Sequence, residues 1–315
     1  IAAGCGGGGG SANEPDADPS APDADPGGGE PDEWDIRLNE RVLDYNAALR
    51  KAALRLNGEL PTMDEIRQVQ LAGDDTAKKA AYEALVTQYM ASPKFAENIY
   101  YWWQDSMKMG DDPEFDSAAA FAAQITVEGR PFTQILTATN GQCGSFDVGT
   151  GVFTAADCNN GVAVHAGLLT HPGINRQYYS NFAFRRVKWI QEFFDCTKFP
   201  TEVSTTPLDV GGNAPYTGLF PFESVPDDTT GVVNFRDASS VVCANCHSTM
   251  NHIAPLFAYF DEDGMLQTDI SVGTPIEGVD NPTLADYLVA GEQTAWRFGT
   301  PAADLPALGA AMAAD

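Results

Sequence analysis

Basic residues are scarce in this chain of 315 residues, because 18 Lys and Arg stand against 44 Asp and Glu, which gives a formal net charge of −26. Nucleic-acid binding needs a clustered basic surface, so this balance argues against nucleic acid as a partner. The sequence also has no apolar run of about 18 residues, the length at which a helix spans a bilayer. Only six cysteines and four histidines are available for metal or redox sites.

The first 33 residues contain almost nothing that could form a core. Small residues precede Cys5, a pattern typical of the end of a lipoprotein signal peptide, so we expect Cys5 to be lipidated. Residues 6–33 are mostly Gly, Ser, Ala, Pro, Asp and Glu and cannot bury enough apolar surface to fold. Residues 1–33 are therefore expected to be a signal remnant and a disordered acidic tether. It would hold an exported protein at a membrane, in the periplasm or at the outer-membrane or cell surface.

From Trp34 onward, apolar residues recur at helical spacing. The pattern predicts helices within 36–56, 66–71, 75–91 and 92–107, and a later amphipathic helix over 182–194. We expect a helical domain over 34–110 and a second domain over 111–315. The predicted fold class is mainly α: a helical bundle followed by an irregular, loop-rich helical module with one small β-hairpin.

The small hairpin is predicted between two cysteines. Cys143 and Cys158 flank residues 146–153, whose side chains alternate about a glycine-containing turn. Because an exported chain meets an oxidising compartment, we predict a Cys143–Cys158 disulfide, which would contribute about 3 kcal/mol. Cys196 then has no assigned partner: it is either a buried thiol or a competitor for Cys143 or Cys158.

The strongest chemical signal is the C-x-x-C-H motif at Cys243, Cys246 and His247. On one helical turn, two sulfurs three residues apart can reach the two vinyl groups of a haem, while the next imidazole meets the iron. A redox pair, a structural disulfide and half of a zinc site are the alternatives. Zinc would require a second ligand pair at similar spacing, and the sequence has none. We therefore expect one haem c at this motif.

The ligands around this haem are less well defined by the sequence. The free ring nitrogen of the proximal His247 needs an acceptor, and the carbonyl of Ile253 or Pro255 is a candidate. His171 and Met265 are nearly equal candidates for the distal ligand, and His165 is a further one.

Arg185, Arg186 and Lys188 form the one basic cluster of the chain. Such a cluster is usually a solvated face. Arginine also binds carboxylates in a bidentate manner, so Arg185 and Arg186 are candidates for binding the haem propionates.

Two stretches carry a family resemblance. The first, over roughly 40–105, contains Pro61-Thr62-x-x-Glu65 and Ser92-Pro93-x-Phe95 followed by Trp102-Trp103. The second, over about 162–270, contains Gly167–Thr170, Phe184–Trp189, C-x-x-C-H-x-x-Met250, Phe260-Asp261 and Gly264. Both resemble the secreted planctomycete-type cytochrome-like proteins.

That resemblance implies an N-terminal helical module and a C-terminal cytochrome c-like module, with no established substrate. In this family the segment after the motif typically reads Met-Asp-Pro-x-Gly. This chain departs from it, because Asn251, His252 and Ala254 stand at the Asp, Pro and Gly positions.

The leading functional hypothesis is a membrane-tethered electron-transfer protein, more an electron carrier than a stand-alone enzyme. Its acidic charge would attract a basic redox partner over a Debye length of about 10 Å at 0.1 M salt. One alternative is a haem peroxidase, or the haem subunit of a secreted oxidoreductase, with an open sixth position. The other is a non-haem surface or scaffold lipoprotein with a Cys243–Cys246 disulfide.

Overall fold

The computed structural model describes most of the chain after residue 43. The described ranges are 33, 36–37, 40–41, 43–110, 112–195, 198–199, 241–273, 281–288, 291–297 and 300–315. Within them, the side chains of residues 113, 114, 181, 241–244 and 248 are outside the description. Cys5, residues 6–32 of the expected tether and Cys196 lie outside the described residues.

The first compact unit comprises the described residues up to Arg55 together with Glu59–Val86. It holds nearly all of α1 (Tyr45–Leu56), α2 (Met63–Gln70) and most of α3 (Asp75–Met90). A capping box begins α2, because the Thr62 and Glu65 side chains each accept the other's backbone N–H. The apolar residues of this unit that are almost fully buried are Leu49, Ala53, Val69 and Leu85.

The second compact unit comprises Leu56–Gly58 and the described residues from Thr87 to Asp315. Its centre is α5 (Pro113–Val127), which packs against α4 (Pro93–Met107), α6 (Gln134–Thr137) and α7 (Pro172–Gln177). Every residue from Ala118 to Ala123 is buried. A helix that is apolar on all faces belongs in the middle of a core, and α5 occupies that place.

The remaining elements build the part of this unit that carries the motif. α8 (Phe184–Phe194) packs against α9 (Val241–Ile253), which continues into the 3₁₀ turn Ala254–Phe257. Strands β1 (Ser145–Asp147) and β2 (Val152–Thr154) form one antiparallel hairpin, with Phe146 opposite Phe153. A second hairpin, β3 (Ala295–Trp296) and β4 (Thr300–Pro301), contacts α10 (Leu305–Ala314). Three other 3₁₀ turns span Gly167–Thr170, Asn181–Ala183 and Leu284–Asp286.

The mainly α prediction is confirmed, because helices dominate the described residues and strands form only two short hairpins there. In these two compact units, α4 packs against α5 and belongs with the second unit. The expected division into domains over 34–110 and 111–315 stays a prediction. Every helix in the described part of the chain is too short or too polar to cross a bilayer.

Candidate functional site

The C-x-x-C-H motif lies on one helix, α9. Positions 243, 246 and 247 are separated by three and four residues, and this spacing puts them on one helical face. Cys246 and His247 are partly buried, whereas the side chain of Cys243 is outside the described residues. The same face continues one turn further to Met250 and Asn251, which are both buried.

The imidazole of His247 is held by the side chain of Asn251. Nδ1 of His247 lies 3.1 Å from Oδ1 of Asn251, one turn later on α9. An amide oxygen can only accept a hydrogen bond, so Nδ1 is the donor and the lone pair of the neutral ring is on Nε2. Burial lowers the pKa of His247, and the hydrogen bond to Asn251 acts in the opposite direction. A neutral imidazole with this tautomer is the form that binds a metal through Nε2.

This partner differs from the expected one, the carbonyl of Ile253 or Pro255. Helix α9 passes directly into a 3₁₀ turn, in which the Pro255 carbonyl accepts the backbone N–H of Ala258 at 3.3 Å. The i, i+4 spacing of His247 and Asn251 on a predicted helix is the sequence signal that indicates the observed partner.

Phe184, the first residue of α8, packs against the ring of His247. The two ring centroids are 4.9 Å apart and the planes meet at 80°. The turn that precedes Phe184 is strained, because Phe182 (φ 70°) and Ala183 (φ 57°) are both left-handed without being glycine. Such a residue costs about 1–3 kcal/mol. The Phe182 and Phe184 rings lie 5.8 Å apart, and Phe184 also meets the fully buried Tyr287. The strained turn before α8 therefore lies where the ring of Phe184 packs against His247 of the motif.

Arg186 is fully buried and has a structural role, whereas the sequence made it part of a solvated face or a candidate for binding a propionate. Its Nε and Nη2 donate to the carbonyl of Asn175 at 2.9 and 2.7 Å. Nη1 donates to the carbonyls of Phe257 and Phe260 at 2.9 and 3.0 Å, and Nη2 also donates to that of Asp261 at 3.0 Å. A guanidinium has five N–H groups, so these five bonds leave none for a propionate.

The charge of this buried group is retained at neutral pH. Burial lowers the pKa of Arg186 to about 10, while the nearby Tyr179, Asp261 and Tyr287 raise it by a smaller amount. Arg186 therefore acts as a cationic clamp between α7 and the segment that follows α9. Its neighbour Arg185 is exposed, with its guanidinium carbon 5.8 Å from the centre of the Tyr178 ring. The propionate role of Arg185 stays a prediction.

His171 lies beside the disulfide that joins Cys143 and Cys158. Its Nδ1 accepts the backbone N–H of Gly173 at 3.0 Å, and its Nε2 donates to the carbonyl of Gln142 at 3.0 Å. Burial lowers the pKa of His171 to about 3, so the ring is neutral at physiological pH. Because the backbone engages both ring nitrogens, His171 has no lone pair to offer an iron in this arrangement.

Three potential metal ligands come together beside this disulfide. Atoms of Cys143, Cys158 and His171 lie within 4.8 Å of one another, with Nε2 of His171 3.7 Å from Sγ of Cys143. A metal would need thiolates and an unprotonated nitrogen. The sulfurs are bonded to each other and Nε2 carries the proton, so this oxidised cluster does not have the donors of a metal site.

The other distal candidates lie in separate surroundings. Met265 is 36% exposed and follows a turn closed by Asp261, whose Oδ1 accepts the Met265 backbone N–H at 2.9 Å. His165 is buried, with Nδ1 3.3 Å from Oγ1 of Thr170. Ligation of iron by either residue stays a prediction.

Comparison with known families reaches only the N-terminal part of the chain. Residues 35–127 match the family model PSCyt2, described as a protein of unknown function (DUF1549). The match ends with α5 and agrees with the N-terminal part of the expected resemblance, but it does not include the C-x-x-C-H motif. No curated protein and no solved structure matches the chain.

Proposed function

We propose that this protein is an exported c-type cytochrome that transfers electrons through one haem c attached to Cys243, Cys246 and His247. The observation that carries the proposal is the ring of His247. It stands in a C-x-x-C-H motif on a helix and is held by Asn251 in the tautomer that binds metals through Nε2. When bound, haem would supply a one-electron iron couple whose potential the protein tunes.

The residues of the chain would attach, orient and shield this group. The thiols of Cys243 and Cys246 would form its covalent links, and Nε2 of His247 would be the proximal ligand. Buried Met250, one turn after Cys246 on the same face of α9, lowers the local polarity. Low polarity near an iron centre favours the less charged, reduced state and so raises the potential.

Two further features support a cytochrome over a bare dithiol pair. A redox or structural C-x-x-C pair does not need the following histidine to be oriented, yet His247 is fixed by both Asn251 and Phe184. The name of the matched family, PSCyt2, suggests a cytochrome-like module.

The proposed setting follows from the sequence. Lipidation at Cys5 and the acidic segment 6–33 would tether the globular part to a membrane surface. The net charge of −26 would steer a basic redox protein toward it.

A pyridine haemochrome assay on the full chain, produced with cytochrome c maturation machinery, tests the proposal. We expect one covalent haem per chain in the wild type and none in the double variant C243S/C246S. The double variant C143S/C158S is the matched control, because it removes two cysteines outside the motif, and it should keep its haem. A colourless wild-type protein with Cys243 and Cys246 joined to each other would overturn the proposal.

A further inference from the structure

We infer that Asn251 is a positioning residue that sets the redox potential of the haem through its hydrogen bond to His247. The inference rests on the proposed function. It concerns the residue that holds the proximal histidine, and this residue is a side chain of the motif helix itself.

The first step is the geometry of the hydrogen bond. Oδ1 of Asn251 lies 3.1 Å from Nδ1 of His247, and the two residues are one turn apart on α9. Asn251 is only 4% exposed, so water is largely kept from this contact. A hydrogen bond in such a low-dielectric setting is electrostatically stronger than the same bond in water.

The second step is the chemistry of the acceptor. The acceptor on Nδ1 controls how much electron density the imidazole gives to a metal at Nε2. A carboxylate would draw the Nδ1 proton more strongly, make the ring more anionic and stabilise the oxidised iron. A neutral amide does this less, and an apolar side chain does not do it at all. Asn251 therefore sets a potential between these two limits.

The third step is the orientation of the ring. The ring of Phe184 packs against the ring of His247 with the two planes at 80°. The strained residues Phe182 and Ala183 come directly before Phe184 in the chain. The ring plane is thus fixed by α8, while the tautomer is fixed by Asn251. This division of roles predicts that substitutions at Asn251 change the electronic character of the ring with little change in its position.

Potentiometric titration of the matured full-chain protein tests the inference with the variants N251D and N251L. We expect the midpoint potential to fall in N251D and to rise in N251L. Shifts of opposite sign are the signature of an electronic effect, since loss of local structure alone would not reverse direction between the two variants. Equal potentials, or shifts in the same direction, would overturn the inference.

The control is N245D, at another buried asparagine of α9. Six positions separate Asn245 from Asn251, so Asn245 lies off the face that carries His247 and Asn251. N245D adds the same charge to the same helix and should shift the potential less than N251D does. A shift as large as that of N251D would assign the effect to charge alone and would contradict a role for the hydrogen bond.

A second measurement does not need the haem. In ¹⁵N NMR spectra of the haem-free full chain, His247 should be the Nδ1–H tautomer in the wild type and lose this preference in N251L. His171 should show the opposite Nε2–H tautomer in both proteins and serves as the internal reference. An Nε2–H tautomer at His247 in the wild type would overturn the inference. If the wild-type protein binds no haem, the proposed function is overturned together with this inference. If it binds haem but the variants have the midpoint potential of the wild type, only this inference is overturned.

Discussion

Two histidines of the second unit, His171 and His247, are held in different ways. His171 is fully buried, and each of its ring nitrogens is hydrogen-bonded to a backbone group. His247 is partly buried; its Nδ1 is hydrogen-bonded to a side chain on its own helix, and its ring packs against Phe184. The sequence makes both candidates for iron ligands, yet their surroundings give them different roles.

The two rings differ in the partners that fix their protons. Backbone partners fix the proton on one nitrogen of His171 and occupy the lone pair of the other, so this ring serves the fold. A side-chain partner fixes the proton of His247 on Nδ1 and leaves Nε2 as the atom with the lone pair. We therefore call the surroundings of His171 and the Cys143–Cys158 disulfide the structural region, and helix α9 with its C-x-x-C-H motif the motif region.

The largest loss of stability is expected at Arg186, which joins α7 to the segment that follows α9. R186L removes five hydrogen bonds of a buried cation and leaves the carbonyls of Asn175, Phe257, Phe260 and Asp261 without this donor. We expect a loss of about 4 kcal/mol in the free energy of unfolding, measured by urea denaturation.

The matched control for this prediction is R185L, at the exposed neighbour. It should change the free energy of unfolding by no more than about 0.5 kcal/mol. Similar losses in the two variants would show that the clamp has no special role in joining the regions.

The second-largest loss of stability is expected from removing the Cys143–Cys158 disulfide, in the structural region. Replacing both cysteines in C143A/C158A opens a loop of sequence separation 15 and should cost about 3 kcal/mol of stability. Because α9 is not part of this loop, the variant should keep the haem content of the wild type. Thermal unfolding and the pyridine haemochrome assay measure the two quantities. A parallel loss of haem in folded protein would break the separation between the regions.

Acid should weaken the structural region through His171. Its pKa is about 3 in the folded state, against about 6.5 when unfolded, so between these values the unfolded state binds more protons. Stability from the neutral ring is therefore complete above about pH 6.5 and falls by about 1.4 kcal/mol per pH unit below it. Between about pH 6.5 and pH 5 the loss is about 2 kcal/mol.

The variant H171N isolates this contribution, because asparagine does not titrate and can still accept the N–H of Gly173 as a helix cap. The stability difference between wild type and H171N, from urea unfolding at several pH values, should shrink as the pH falls. A difference that stays constant over this range would contradict the assignment of a neutral His171.

The smallest loss of stability is expected where Phe184 packs against His247 on the motif helix α9. F184L removes the ring contacts with His247 and Tyr287 and should cost about 1 kcal/mol of stability. The hydrogen bond between His247 and Asn251 should persist, as shown by the ¹⁵N shifts of the imidazole. F132L, at a phenylalanine that is 55% exposed, is the control and should be nearly neutral. Loss of the Nδ1–H tautomer in F184L would mean that Phe184, as well as Asn251, decides the tautomer.

Much of the fold follows from local patterns. The predicted helix over 75–91 is observed as Asp75–Met90, and the one over 182–194 as Phe184–Phe194. Periodicity reveals helices that have one buried face, but it does not predict α5, because the alanine-rich run 118–123 is buried on all sides and shows no such period. Strands β3 and β4 have two residues each, too few for an alternating pattern.

The C-x-x-C-H spacing can be read from the sequence alone, and it puts two thiols and an imidazole on one face wherever that segment is helical. Which of the other candidates serve the fold depends on contacts between distant parts of the chain. Arg186 reaches the carbonyl of Phe260, 74 positions later, and His171 reaches that of Gln142, 29 positions earlier. Carbonyl groups are the same in every residue, so such partners leave no trace in the sequence and appear only when distant segments pack together.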